Sequence, residues 1–530
     1  MESTGIKSRI NFYVKNYRNI IIAAIVIIVV AVVGVVFFFR RPKNIKDTYF
    51  QIEKENIETR ISEAEKNYND KMAKTRPFRE QPSRTRYELS FKLQPYNANQ
   101  NTQDFFGVLP SQAIDIINSA KIVLNSRYDI KNELKLGALS LLVESQSFID
   151  INTFQNKNQM GIQVPVIYDK YFVFDNDNIS TIFQKFGANI PIKKIITLSD
   201  IKNNINCSPS EFQQIFIDYL KFLQENITDD QITIAKGINA ETKTSNAKDI
   251  FSIKFDELQF KSIAKKSIEY LCTDERLMNK TSEQLYSLFD IFEDAGYFDI
   301  LDIVLNINIM DEIQKYRDAE NLCQNLIKII ENTSFPDGFN MTFAVDKKRT
   351  PIFREITLAS SYQNEPKRTY NFHIEPSSYA KLKIEQEYLE NKAKNAIIEI
   401  ESQKQTGVGG TLFHINCINN LWPDFEAKIN TRKTMEEDEK NKTINANYLI
   451  DIDFTCSELE IQNANLVLDV KKEDKYGVNF NLPDINEATA VDLNLIDSSG
   501  IEALQNDIQF SIMRFLVANQ YLLEAFTSED

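Results

Sequence analysis

Hydrophobic and polar residues follow three different patterns along this chain. Residues 20–39 form an apolar run without a charge, and arginines and lysines flank it on both sides. At a rise of about 1.5 Å per residue, such a run reaches about 30 Å, the thickness of the hydrocarbon core of a bilayer. The run therefore predicts one transmembrane helix, and its length favours an uncleaved signal-anchor over a signal peptide.

A helical period follows the apolar run. Apolar residues such as Tyr49, Ile52 and Ile57 recur every three or four positions between Lys46 and Lys74, and charged residues fill the other faces. The pattern predicts a long helix that acts as a spacer, with a short coiled coil as the alternative. Because a proline restricts the residue before it, the pair Arg76–Pro77 predicts the end of this helix and an extended linker up to Thr85.

From Arg86 the pattern changes to strict alternation, which is typical of half-buried strands. Successive alternating stretches as far as Phe174 predict an antiparallel meander with one apolar and one polar face. We expect a concave apolar face, and we select four residues on it as candidate ligand-binding residues: Leu124, Leu136, Leu142 and Ile149.

The rest of the chain predicts helices from Lys261 to Asn332, then many strands, then a closing helix. The closing helix is predicted to begin at Ser499, where Glu502 completes a capping box. Its apolar stripe runs from Ile501 to Leu516. The predicted organisation has six parts: a cytoplasmic tail (1–19), the transmembrane helix (20–39), a helical spacer and linker (40–85), a first sheet and helix half (86–260), a helical insert (261–335) and a second sheet and helix half (336–530).

The order of parts in the two halves suggests that they are related. Gly161 to Pro165 and Gly477 to Pro483 each precede a short strand, a polar cap and an amphipathic helix. The predicted fold class is thus α+β, with two related antiparallel half-barrels and packed helices after the transmembrane helix. Chance recurrence of strand, turn and helix is the alternative.

Composition narrows the function classes. The net charge of −14, from 61 basic and 75 acidic residues, argues against a nucleic-acid partner, because phosphate binding needs a basic surface. The five cysteines never form a C-x-x-C pair, so no disulfide framework or zinc site is predicted, and we expect them to be small apolar residues.

Candidate catalytic groups are few. The chain has two histidines, His373 and His414, and each lies in an alternating stretch without a second histidine nearby. Cys417 lies three residues after His414, which places the two side chains on opposite faces of a strand. The glycine cluster from Gly407 to Gly410 lies between strands and predicts a hairpin turn. The sequence therefore predicts a protein that is not an enzyme and that has no metal or cofactor.

The layout resembles that of large single-span envelope proteins of low-GC Gram-positive bacteria. The residues that carry this resemblance follow the first meander: Gly161, Val164, Pro165, Tyr168, Asp169, Lys170 and Tyr171. The sheet and helix halves are in turn similar to the lipoprotein-carrier fold of LolA and its relatives, an open half-barrel with helices against its apolar face. The resemblance implies that the protein binds an acyl chain or another apolar ligand.

These observations predict a membrane-anchored extracytoplasmic protein that binds a lipid or other apolar ligand in a groove between sheet and helices. The basic residues on both sides of residues 20–39 are nearly balanced, and we expect a cytoplasmic N-terminus and a C-terminal domain outside the cell. The alternatives are a structural or sensory interaction protein of the cell envelope, with an envelope protein as its partner, and a hydrolase that uses His373 or His414.

Overall fold

The computed structural model describes residues 45–95, 111–197, 200–201, 208–236, 247–300, 319–363, 366–376, 378–386, 397–405, 410–418, 424–456, 461–521 and 524. Its contacts divide the chain into two compact units. The first unit comprises Met1–Asn69, Asn206–Tyr286 and Met310–Glu399, and the second comprises Asp70–Ile205, Ser287–Ile309 and Ile400–Asp530.

The described helices are α1 (Ile45–Glu80), α2 (Ser111–Ser119), α3 (Ile179–Lys185), α4 (Gln213–Asn226), α5 (Glu257–Thr273), α6 (Glu275–Asp294), α7 (Ala319–Asn332) and α8 (Ser498–Ala518). The described strands in the first part of the chain are β1 (Ser83–Pro95), β2 (Lys121–Asp129), β3 (Leu134–Val143), β4 (Gln146–Asn156), β5 (Gln159–Val164), β6 (Tyr168–Asp175), β7 (Ile232–Lys236), β8 (Asp249–Phe255), β9 (Thr333–Ser334) and β10 (Phe339–Val345). Those in the second part are β11 (Pro351–Tyr362), β12 (Arg368–Glu375), β13 (Tyr379–Gln386), β14 (Ile397–Gln405), β15 (Gly410–Ile418), β16 (Phe425–Asp438), β17 (Thr443–Cys456), β18 (Ile461–Tyr476) and β19 (Ala490–Asp492).

The first unit is a helix-covered antiparallel sheet. Its strands pair in the order β7, β8, β10, β11, β12 and β13. The short strand β9 pairs with the C-terminal end of β11. The core lies between this sheet and helices α1, α4, α5 and α7, and it is rich in aromatic residues. Its largest fully buried side chains include Tyr49, Phe251, Phe260, Phe339 and Phe343.

The second unit contains a long, mixed sheet. The observed pairings give the order β15, β16, β17, β18, β1, β2, β3, β4, β5, β6 and β19. Every pair is antiparallel except β6 with β19, which is parallel. A core at the β6 end forms around Phe174, Ile182, Leu493 and Leu504, which brings α3 and α8 onto that end of the sheet.

The predicted fold class is wrong. The predicted halves, 86–260 and 336–530, are not separate antiparallel half-barrels, because β1 lies between β2 and β18 in a sheet that takes strands from both ranges. Alternation within a strand reports its two faces and says nothing about its partner, so the pairing of residues almost 400 positions apart left no local signal. None of the helices that the structure describes has the length and apolar character needed to cross a membrane, and the predicted span at 20–39 lies outside the described residues.

Helix α1 differs from the prediction at both ends. Its first turns are not a spacer, because Tyr49, Phe50 and Ile52 are fully buried in the core of the first unit. The helix also continues through Pro77 to Glu80, so the predicted linker from Arg76 to Thr85 is wrong. A proline lacks one backbone N–H, and a single missing bond near the end of a long helix is tolerated where the neighbouring turns are packed.

Candidate ligand-binding site

The sheet of the second unit has one apolar face and one polar face. The strand register places large apolar side chains from successive strands on the same side, and we call this side the apolar face: Ile450, Leu468, Leu89, Leu124, Leu139 and Ile151. The opposite side carries charged and amide side chains in matching positions, among them Arg86, Glu88, Lys471 and Glu473. A sheet of this kind normally covers its apolar face with other parts of the protein.

The described residues cover the apolar face only in part. Leu124 and Leu139 lie opposite each other in the middle of the sheet and each remains 38% exposed. Phe413 on β15 and Ile162 on β5 lie on the same face and are also exposed. Leu124 and Leu139 are direct neighbours, whereas Phe413 and Ile162 lie on strands near the two ends of the sheet. Exposed apolar residues that are scattered singly are ordinary, so the pair in the middle of the sheet is the feature that adjoins other apolar surface.

A cavity of about 510 Å³ lies between this face and the C-terminal turns of α1. Thr75, Phe78 and Arg79 contribute the helical wall. Strand residues on the apolar face form the floor: Ser83, Thr85, Tyr128, Lys135, Gln155, Ile444 and Asp474. The turn after β2 closes one end with Ile130, and Ile201 adds a further apolar side chain. We call this space the helix–sheet cavity. Its volume is within the range of about 300–1,000 Å³ that is usual for small-molecule sites.

Two of the acidic groups in the cavity wall already have partners. Asp474 accepts hydrogen bonds from Thr85 Oγ1 at 2.7 Å and from Lys472 Nζ at 2.5 Å. Asp129 accepts hydrogen bonds from the backbone N–H of Asn132 at 3.3 Å and from its side-chain Nδ2 at 2.7 Å.

The two cations of the cavity wall are not paired in this way. Within the described ranges, neither Arg79 nor Lys135 forms an ion pair. Arg79 Nη2 lies 3.7 Å from Met72 Sδ, and Lys135 Nζ lies 5.7 Å from the centre of the Tyr128 ring. The wall therefore combines apolar side chains with two cationic groups that are available to a ligand.

The four predicted site residues do not share one face. Leu124 and Ile149 lie on the apolar face, where Leu124 is opposite Leu139 and Ile149 is opposite Leu141. Leu136 and Leu142 point to the other side, where Leu136 is opposite Arg127 and Phe154. None of the four lines the helix–sheet cavity. Sequence reasoning missed the cavity because its helical wall comes from the stretch predicted to be a linker.

Both histidines have acidic neighbours. His373 Nδ1 lies 3.0 Å from Glu355, and His414 Nε2 lies 2.8 Å from Glu426. The register places Cys417 opposite Phe425 on the apolar face and His414 opposite Lys428 on the polar face, as the sequence spacing predicts. Burial raises the pKa of the Cys417 thiol, which disfavours the reactive thiolate. Among the described residues, no cluster of three potential metal ligands occurs.

Two cysteines form a disulfide. Cys272 on α5 and Cys323 on α7 are bonded to each other in the first unit, with their Cα atoms 6.3 Å apart. The prediction that the cysteines are only small apolar residues is wrong for this pair. Cys417 and Cys456 are free and buried, and Cys207 lies outside the described residues.

Comparisons with known proteins place this chain in no family. No family model matches it, and no curated protein is similar to it. Among solved structures, one similarity is to a point mutant of the vaccine antigen transferrin-binding protein B from Haemophilus parasuis. The identity is 6%, the match covers 74% of this chain and 76% of that chain, and the TM-score is 0.10, which is too low to indicate a common fold.

Proposed function

We propose that the protein binds a lipid or another small apolar ligand on the apolar face of the second unit, with the helix–sheet cavity as the site. The observation that carries this proposal is the cavity itself, a space of about 510 Å³ with Phe78, Tyr128 and Ile444 in its walls. Each methylene moved from water into such a site contributes about 0.8 kcal/mol, so an acyl chain gains affinity from length alone.

The partly covered face around the cavity supports the same proposal. Leu124 and Leu139 lie on the same side of the sheet as the cavity floor, so a ligand longer than the cavity can continue along apolar surface.

We propose an extracytoplasmic location for the folded units. The Cys272–Cys323 disulfide supports it, because disulfides form and persist mainly in oxidising compartments. Labelling intact cells with a membrane-impermeant reagent tests this. Labelling of the folded units on intact cells is expected, and labelling only after lysis would refute the location.

A second candidate function, docking of an envelope protein, has its own observation. The C-terminal half of α8 exposes a row of apolar residues, Phe510, Met513 and Val517, at spacings of three and four. A row of this kind is the usual contact surface of a helix that packs against another protein.

The experiment that tests ligand binding is native mass spectrometry of the full-length protein, purified without added lipid. We expect a bound mass of several hundred daltons that organic solvent releases, and we expect Ile130→Gln to reduce its occupancy. Leu258→Gln is the matched control, because Leu258 is a highly exposed apolar residue of α5 in the first unit. An unliganded mass that does not change after incubation with envelope lipids would overturn the proposal and favour docking of a protein.

A further inference from the structure

We infer that the ligand of the helix–sheet cavity is an anionic amphiphile: a single apolar chain that ends in a carboxylate or a phosphate. The inference rests on the proposed function and specifies the chemistry of the same site. It starts from the charged side chains in the cavity wall, which are Arg79, Asp129, Glu133, Lys135 and Asp474.

These five charged groups differ in whether they already have hydrogen-bond partners. Asp474 is bound by Thr85 and Lys472, and Asp129 is bound by the amide groups of Asn132, so the negative charge of each is already compensated or solvated. Glu133 is exposed in the turn before β3, as Arg79 is on α1, and its carboxylate is the remaining acidic group of the wall. The groups left for a ligand are the guanidinium of Arg79 and the ammonium of Lys135, which make no ion pair with any described residue.

The chemistry of the two cations favours an oxyanion. Arginine presents a planar fork of donors that matches a carboxylate or a phosphate. Lys135 lies beside the ring of Tyr128, which holds the ammonium at the edge of the apolar wall. Because a charged hydrogen bond is stronger where water is partly excluded, an anionic group at this edge gains more than a hydroxyl does.

The apolar walls require a tail on the same ligand. Phe78, Tyr128 and Ile444 face the same space as the cations, together with Ile130, Leu134 and Ile201. A small inorganic anion would leave these side chains in contact with water, and a neutral hydrocarbon would leave both cations without a partner. An amphiphile satisfies both kinds of group.

The test compares three probes of the same chain length: hexadecanoic acid, hexadecyl phosphate and hexadecanol. Binding to the full-length protein is measured by displacement of a fluorescent fatty acid. We expect one or both anions to bind more tightly than the alcohol. Arg79→Gln and Lys135→Gln should each weaken the anions about tenfold and leave the alcohol unchanged, since a charged hydrogen bond contributes more than a neutral one.

Two further variants complete the test. Glu133→Gln should strengthen binding of the anions, because it removes a negative charge from the wall. Arg76→Gln is the matched control, since Arg76 is an exposed arginine of α1 that pairs with Glu80.

Equal affinity for the acid, the phosphate and the alcohol would overturn the inference and leave apolar binding intact. The same conclusion would follow if Arg79→Gln lowered the affinity for all three probes equally. Failure of all three probes to bind would overturn both proposals. A preference between the acid and the phosphate identifies a fatty acid or a phospholipid as the source of the anion.

Discussion

At the residue scale, the most unusual group is a buried ion pair in the first unit. Glu53 of α1 is 2% exposed, accepts a hydrogen bond from the Tyr49 hydroxyl at 2.8 Å and pairs with Arg354 of β11 at 2.5 Å. Arg354 also lies over the ring of Phe343, 4.7 Å from its centre. Burial raises the pKa of Glu53, whereas Arg354 acts to lower it.

We predict that Arg354→Met destabilises the first unit, and more so at high pH. Without Arg354 the pKa of Glu53 rises further, and a carboxyl with a raised folded pKa contributes stability that is lost as the pH rises through that pKa. The loss should approach about 3–5 kcal/mol above that pKa, as for other broken buried pairs, and it should shrink at acidic pH. Urea unfolding at several pH values measures it.

The control for this prediction is Arg76→Met, which removes an exposed arginine–glutamate pair and should leave the free energy of unfolding almost unchanged, because solvent screens an exposed pair. The double variant Glu53→Leu with Arg354→Met should recover much of the stability, because no charge then stays buried. A loss in Arg354→Met that does not depend on pH would contradict the role assigned to the Glu53 carboxylate.

Sequence reasoning at this scale succeeded for single strands and failed between strands. Alternation identified the two faces of β1, where Tyr87 and Leu89 lie on the apolar face. Strand β3 has leucines at both even and odd positions, so its alternation fits either face. The hairpin register, in which Leu124 is opposite Leu139, decides that Leu136 points away. Register depends on the turn between the strands, which the pattern of one strand does not contain.

At the element scale, the disulfide ties α5 to α7. The Cys272–Cys323 bond closes a loop of 51 residues, and in the chain-entropy view a loop of this length restricts the unfolded chain strongly. We predict that Cys272→Ser lowers the free energy of unfolding by about 2–4 kcal/mol and removes any effect of a reducing agent. Thermal unfolding with and without reductant measures both effects.

Cys417→Ser is the control for this prediction, because Cys417 is a free, buried cysteine. It should keep the sensitivity to reductant. If the unfolding temperature of the wild-type protein were the same with and without reductant, the result would show that the disulfide does not form. Two widely spaced cysteines could not be paired from the sequence, since only the packing of α5 on α7 brings them together.

Helix α8 has its buried side chains, Ile501 and Leu504, in its first turns. Further along, Phe515 is half-buried and its ring lies 5.0 Å from that of Phe148. Leu504 is 5% exposed and packs with Phe174 and Ile182, whereas Met513 is 60% exposed. Its N-cap is Asp497, whose Oδ1 accepts a hydrogen bond from the backbone N–H of Gly500 at 2.8 Å, so the cap lies two residues before the predicted one at Ser499. The sequence predicted an apolar stripe from Ile501 to Leu516, and such a stripe shows which side of a helix is apolar but not whether anything covers it.

The buried Leu504 and the exposed Met513 on the same helix allow a matched pair of variants. Leu504→Ala should cost about 2–5 kcal/mol, as buried leucines do, and Met513→Ala should change stability by less than about 0.5 kcal/mol. If α8 docks a protein, Met513→Ala should weaken that contact while the fold is unchanged. Chemical unfolding of both variants under the same conditions is the measurement, and similar losses in the two would show that the C-terminal half of α8 is also packed.

At the scale of the whole molecule, the first strand of the chain that the structure describes pairs with a strand near the end of the chain. The sheet of the second unit places β1, which starts at Ser83, against β18, which ends at Tyr476, and the partners differ by almost 400 positions at that end of the pairing. Element type was predictable from periodicity, because each strand and helix carries its own pattern. The topology was not, because contacts that are far apart in sequence depend on the complete set of available strands.

The two units each have a separate aromatic or aliphatic core, and this permits a final prediction. We expect unfolding to proceed through two transitions, because the cooperative unit of a large protein is the domain with its own core. Cys272→Ser and Arg354→Met should lower the same transition, since both act in the first unit. Leu504→Ala should lower the other transition, and so should a polar substitution in the helix–sheet cavity if it is destabilising. A ligand of the cavity should raise only the transition that Leu504→Ala lowers, by mass action on the folded second unit. Differential scanning calorimetry of the wild type and these variants, with and without the tightest-binding of the three amphiphile probes, measures all of these shifts in unfolding temperature.

A single transition whose temperature every variant shifts equally would contradict this prediction, because it would show that the chain unfolds as one cooperative body.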